Sequence, residues 1–139
     1  LSDIEDLSAA RFANVSGMSE AEARARYAAA AILLDGLEHH PNLVADYQYA
    51  IWRLFNSSVT SYGISSTLLA AALAVASDTT GKYSALYDRL EIYTPTGSAV
   101  SNQEFLRLGD TDVPEPSAFF MGGAGLALLL AGVIRKHSV

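Results

Sequence analysis

The chain has 139 residues, of which 50% are hydrophobic and 17% charged, and it carries a formal net charge of −6. Its length allows at most one globular domain plus a tail, and its mean hydropathy of +0.21 excludes a disordered polyampholyte. With only 9 lysines and arginines the chain has no basic face for phosphates, which excludes nucleic acid as a partner. Because it has no cysteine, a disulfide, an iron–sulfur cluster and a thiol nucleophile are excluded within these residues.

The first residues contain no initiator Met, no basic segment and no apolar segment of the kind found in a secretory signal. We therefore interpret Leu1 as the start of a mature form or of a fragment. A signal peptide, if the gene encodes one, is expected upstream of this chain.

Residues 1–108 are predicted to form a small α+β domain that is rich in helices. Ser19 and Glu22 have the spacing of a capping box, in which each side chain satisfies the other residue's backbone N–H at the start of a helix. In the first helix, apolar residues at intervals of three or four predict a single buried face. The same periodicity predicts three helices in all, over residues 20–38, 43–55 and 65–78. Residues 83–89 are compatible with either a helix or a loop.

Two short alternating segments, residues 91–94 and 104–108, predict strands. The turn-rich residues 96–102 between them favour a β-hairpin. Since two strands alone make a marginal sheet, we expect partner strands upstream of Leu1, so that the domain is incomplete as it stands. Residues 109–112 are predicted to be a polar linker.

One cluster combines histidine with carboxylates: Asp35 and Glu38 lie close in sequence to the adjacent His39 and His40. Adjacent histidines point about 100° apart on a helix, which does not suit a zinc site. Histidines that favour the negative end of the helix dipole are the simpler interpretation. The sequence contains no serine-nucleophile or phosphate-loop motif, so we predict a protein that is not an enzyme and binds no metal or cofactor.

The C-terminal part differs from the rest in hydropathy. Residues 117–134 contain no charge and would span about 27 Å as a helix, close to the thickness of a bilayer core. They contain four of the chain's 10 glycines, which membrane helices tolerate and soluble helices avoid. Arg135 and Lys136 follow at once and would hold that end on the cytoplasmic side. We therefore predict a single transmembrane helix over residues 117–134.

Pro114, Glu115 and Pro116 precede this apolar segment, and the two prolines oppose helix formation. The order of Pro-Glu-Pro, apolar helix and basic end resembles the PEP-CTERM sorting signal of Gram-negative bacteria that make exopolysaccharide. The resemblance covers residues 113–139. It implies an exported protein that the tail holds transiently in the inner membrane, and that an exosortase then cuts at or near Pro-Glu-Pro. It also implies delivery to the cell surface, with the exopolysaccharide or biofilm matrix as an expected partner.

The body is similar to one that recurs ahead of such tails, through residues 48–55 (QYAIWRLF), 92–95 (IYTP) and 103–106 (QEFL). Residues 48–52 further resemble the glutamine motif of surface thioester domains, in which a Gln and a Cys side chain are crosslinked. This resemblance implies a covalent adhesin in which Gln48 reacts with a Cys upstream of Leu1. The simpler alternative is that Gln48 is an ordinary helix residue beside a Trp52 that packs in the core. A third interpretation is a plain single-pass protein whose tail is a permanent anchor.

Overall fold

A computed structural model describes residues 4, 6–8, 10, 12, 17–95 and 104–110 of the chain. The described elements are four helices followed by two strands, which confirms the predicted α+β class. In chain order they are α1 (Glu20–His39), α2 (Val44–Phe55), α3 (Ser65–Ala76), α4 (Ser84–Tyr87), β1 (Leu90–Tyr93) and β2 (Phe105–Leu108). A single 3-10 turn, Pro41–Leu43, joins α1 to α2.

The predicted capping box is present at the start of α1. The Ser19 hydroxyl accepts a hydrogen bond from the Glu22 backbone N–H at 3.3 Å, and the Glu22 carboxylate accepts one from the Ser19 backbone N–H at 3.1 Å. Two backbone donors that a helix start leaves unpaired are thereby satisfied. This local pairing explains why the sequence alone located the start of α1 correctly.

The prediction that α1 buries one face is wrong, because α1 is buried on two sides. Ala28, Ala29, Ala30 and Ala31 are consecutive and all buried, which no single helical stripe would produce. Ala28 and Ala31 belong to a hydrophobic cluster with the sheet, whereas Ala29 and Ala30 belong to a second cluster with α2 and α3. The small alanine side chains let neighbours approach α1 from both directions.

The two strands pair antiparallel, as predicted, with Leu90 opposite Leu108 and Ile92 opposite Leu106. Leu90, Ile92 and Leu108 are buried against α1 in the first cluster. Packing on a helix stabilises a two-stranded hairpin that would be marginal by itself. Further strands upstream of Leu1 therefore remain a prediction and are not needed to bury this face of the sheet.

On the outer face of the sheet Glu91 lies opposite Arg107, and their side chains form an ion pair of 2.7 Å. Tyr93 also donates a hydrogen bond to the Glu91 carboxylate, and these two contacts hold the pKa of that carboxyl below its usual value. The hairpin therefore has an apolar inner face and an exposed outer face that carries Glu91, Arg107 and Tyr93 together with Phe105.

A hydrogen-bonded group joins α1 to the sheet inside the first cluster. The Tyr27 hydroxyl donates to one oxygen of the Glu104 carboxylate at 2.6 Å, and the Thr94 hydroxyl donates to the other at 2.6 Å. Tyr27 is fully buried. Both hydrogen bonds are partly buried, and together they hold the strand ends against α1.

The second cluster packs α2 and α3 against the other side of α1. Gly36 lies where a Cβ would collide with the ring of Tyr47, so glycine permits the close approach of α1 and α2. Arg26 of α1 donates to the backbone carbonyl of Leu54, one of the carbonyls that the end of α2 leaves unpaired.

None of the described helices is both long and apolar enough to cross a membrane. The predicted transmembrane segment, residues 117–134, and the rest of the predicted sorting signal lie outside the described residues.

Candidate functional site

Gln48, the residue to which the thioester resemblance points, lies exposed near the middle of α2. Trp52 lies one helical turn further along, on the same side, and is 42% exposed. The prediction that Trp52 packs in the core is wrong. The residues of α2 that are buried are Tyr47, Ala50 and Leu54, and the 3.6-residue period carries Trp52 away from that side.

Trp52 belongs instead to a cluster of three aromatic rings on the surface. The Tyr49 and Trp52 rings meet edge to face, with centroids 5.3 Å apart and an interplanar angle of 61°. Tyr62, from the loop after α2, stacks on Tyr49 with centroids 5.1 Å apart and an angle of 23°. Tyr62 is 51% exposed. We call Tyr49, Trp52 and Tyr62 the aromatic platform.

Hydrogen bonds on both sides of Tyr62 fix the loop that carries it. The Ser65 hydroxyl, fully buried, accepts from the Tyr62 backbone N–H at 2.8 Å. The Asp46 carboxylate of α2 accepts from the Ile64 backbone N–H at 2.6 Å. Between them Gly63 has a φ of +49°, and the Asp46 carboxylate occupies the space that a Cβ would need. Only glycine suits this position, and the loop is held against α2.

Polar side chains lie on α2, which carries Tyr49 and Trp52, and at the start of α3. Arg53 donates to the Ser66 hydroxyl at 2.6 Å, which ties α2 to the first turn of α3. Gln48 precedes Tyr49 directly and shares the exposed side of α2 with Trp52. The site thus combines half-exposed ring surface with amide, hydroxyl and guanidinium groups that can donate or accept hydrogen bonds.

The two adjacent histidines lie at the end of α1, and each bonds to the helix. The His39 Nδ1 is 2.7 Å from the Asp35 carbonyl oxygen, and the His40 Nδ1 is 2.9 Å from the Gly36 carbonyl oxygen. Each ring therefore lies within hydrogen-bond distance of a carbonyl one turn earlier in α1. Within the described part of the chain no group of three or more His, Asp or Glu side chains could hold a metal ion.

The remaining residues that the sequence singles out, Pro114, Glu115, Pro116, Arg135 and Lys136, lie outside the described residues. The structure therefore brings together one of the predicted site residues, Gln48, with an aromatic cluster that the sequence analysis did not identify.

No protein-family model, no curated protein and no solved structure matches this chain.

A signal for the aromatic platform was present in the sequence. The apolar periodicity of α2 places Tyr47, Ala50 and Leu54 on one side of the helix, and Tyr49 and Trp52 fall outside that side, although Trp52 was expected in the core. Two aromatic residues three positions apart on the polar side of a helix indicate an exposed ring pair. The contribution of Tyr62 could not be seen, because it depends on how the loop after α2 folds back.

Proposed function

We propose that this chain is an exported protein of a Gram-negative bacterial envelope, which an exosortase processes at its C-terminal Pro-Glu-Pro. The observation that carries the proposal is the order of three features at the end of the sequence: residues 114–116 (PEP), the uncharged residues 117–134, and the basic pair Arg135 and Lys136. Each feature is common alone, whereas their sequence in this order is typical of a sorting signal.

In this proposal the tail acts as a substrate and catalyses nothing. The apolar segment would lie in the inner membrane, with the basic pair holding its end on the cytoplasmic side. Pro114 and Pro116 would keep the peptide before the apolar segment extended, a conformation that suits entry into a protease site at the membrane surface. The domain ahead of the tail would then reach the cell surface and the exopolysaccharide matrix.

The test expresses the gene with an epitope after Val139 in a host that has a working exosortase. We expect the mature surface protein to lack the epitope, since cleavage removes the tail. Replacement of Pro114, Glu115 and Pro116 by alanine should leave uncut precursor in the inner membrane.

The matched control replaces Asp110, Thr111 and Asp112 by alanine, a change of equal size directly before the motif, and we expect normal processing. An epitope that persists on the surface protein would overturn the proposal. Equal processing of the Pro-Glu-Pro variant and the wild type would favour the permanent anchor instead.

A second candidate function is the covalent adhesin, and the exposure of Gln48 on α2 favours it over a purely structural role for this residue. An internal thioester between Gln48 and a Cys encoded upstream would release one ammonia. The intact protein should therefore be lighter by that mass and should react with methylamine, and Gln48→Ala should abolish both properties. An upstream sequence without Cys would exclude the thioester adhesin.

A further inference from the structure

We propose that the aromatic platform binds an uncharged polysaccharide, with sugar rings stacked on Trp52 and Tyr62 and hydroxyl groups hydrogen-bonded to the polar side chains around them. The inference deepens the proposed function, because export would bring the platform into contact with matrix polymers.

The ring geometry suits the flat face of a sugar. The C–H groups on one face of a pyranose are slightly positive and stack on the negative face of an aromatic ring. Trp52 and Tyr62 each pack on Tyr49, at 61° and 23° to its plane, and both rings stay about half exposed. An aromatic cage for a quaternary ammonium needs rings that enclose a space, whereas Tyr49 and Tyr62 stack on each other.

The charge around the aromatic platform favours an uncharged ligand. Residues 44–77, which comprise α2, the following loop and α3, contain only two charged side chains, Asp46 and Arg53, of opposite sign. The whole chain, by contrast, carries −6. The bases of a nucleic acid would stack equally well, but the phosphates of its backbone require a basic groove. The loop over residues 56–62 (NSSVTSY) is instead rich in hydroxyl groups, which both donate and accept.

The size of the aromatic platform also argues for a small contact. A fully covered aromatic side chain buries about 150–250 Å². With Trp52 42% and Tyr62 51% exposed, the platform offers roughly 140–230 Å² of ring surface. Adding Ile64, which is 47% exposed, keeps the area well under half of the roughly 800 Å² that each partner contributes to a stable protein interface. Such an area suits a few sugar units.

The platform is also held in place before any ligand arrives. Asp46 and Ser65 fix the backbone on both sides of Tyr62, and Arg53 ties α2 to α3. A surface that is already ordered loses little conformational entropy on binding, which raises the affinity of weak stacking contacts.

The test uses the single tryptophan of the chain, Trp52, whose fluorescence reports directly on this surface. The full chain is kept at a constant concentration of a polyoxyethylene detergent, which has no sugar headgroup. It is titrated with cello-oligosaccharides, laminarin, dextran and mannan, and with alginate as an acidic polymer. We expect at least one neutral glycan to shift Trp52 emission to shorter wavelength and to protect it from acrylamide quenching.

Tyr62→Ala should weaken that binding at least about tenfold, because it removes one stacking surface. Phe105→Ala is the matched control, since Phe105 is an exposed aromatic residue (65%) on the sheet, away from the platform, and it should bind as the wild type does. Circular dichroism checks that both variants fold.

Three results would overturn the inference: no response to any neutral glycan, a response to alginate alone, or an equal loss of affinity in Phe105→Ala. An emission shift that depends on protein concentration without glycan would overturn it in favour of a second copy of the chain. Because this assay does not involve cleavage of the tail, failure of tail processing and failure of glycan binding are separate outcomes.

Discussion

Tyr27 is the residue whose chemistry depends most on the fold. Its ring is fully buried between α1 and the sheet, and its hydroxyl donates to Glu104. Burial, and then the neighbouring carboxylate that accepts this hydrogen bond, raise the pKa of Tyr27 far above its ordinary value, because both oppose the phenolate. The proton on Tyr27 is therefore part of the folded structure.

This pKa predicts a loss of stability in alkaline solution. Unfolded Tyr27 ionises near pH 10, whereas folded Tyr27 keeps its proton, so the unfolded state binds fewer protons above that pH. The stabilisation is fully present below about pH 10 and should fall above it, by at most about 1.4 kcal/mol per pH unit from this one group. Urea unfolding between pH 8 and pH 11 measures the effect.

Tyr27→Phe should remove this part of the alkaline decline, because the titrating group is gone. Tyr62→Phe is the matched control, since Tyr62 is half exposed and should leave the decline as it is in the wild type. The same alkaline slope in Tyr27→Phe and the wild type would contradict the assignment to Tyr27.

At the scale of elements, the loop between α2 and α3 creates the candidate site. The α2 helix alone would present Tyr49 and Trp52, whereas Tyr62 reaches Tyr49 because the loop folds back at Gly63. The contact from Asp46 to Ile64 spans 18 residues and fixes this return. The third ring therefore depends on one side chain of the preceding helix.

Asp46→Ala should loosen the loop between α2 and α3. It removes the exposed hydrogen bond to the Ile64 N–H, which water can partly replace, and we expect this to cost about 0.5–1.5 kcal/mol in the free energy of unfolding. Trp52 should also become easier to quench with acrylamide, because Tyr62 would no longer be held against Tyr49. Asp46→Asn keeps an acceptor oxygen at the same place and should recover most of both effects. Equal losses in the alanine and asparagine variants would mean that the charge of Asp46, and not its hydrogen bond, carries the effect.

At the scale of the described domain, α1 is shared by two hydrophobic clusters. Its alanines face the sheet on one side and α2 and α3 on the other. Phe55 packs against both clusters, with its ring 5.1 Å from that of Tyr27. Because both clusters use α1, we expect the described domain to unfold in a single cooperative transition.

The shared helix predicts a strong response to larger side chains. Ala30→Leu inserts three heavy atoms into a position with no exposed surface, and we expect it to cost about 1–3 kcal/mol in the free energy of unfolding. Ala70→Leu makes the same change at an exposed position of α3 and should stay within about 0.5 kcal/mol of the wild type. Urea unfolding compares the two variants. Equally small losses in the free energy of unfolding would contradict the prediction, because they would mean that the space around Ala30 accommodates a leucine side chain.

The sequence by itself determined three of the four described helices and the pairing of the two strands, whereas it left residues 83–89, where α4 lies, open between helix and loop. The capping box at Ser19 and the alternation in the two strands act between residues near in sequence, so their outcome does not depend on the rest of the fold. The proposed sorting signal, too, rests on residues 113–139 alone, where the order of motif, apolar segment and basic end resembles such a signal.

Only the tertiary structure decided which sides of the helices are covered and which residues meet on the surface. The alanines of α1 are compatible with one buried face or two, and the positions of α2, α3 and the sheet resolve that choice. Trp52 was expected to pack in the core, yet α2 turns it outward beside Tyr49. Burial and side-chain clusters depend on contacts between residues far apart in sequence, which local periodicity does not contain.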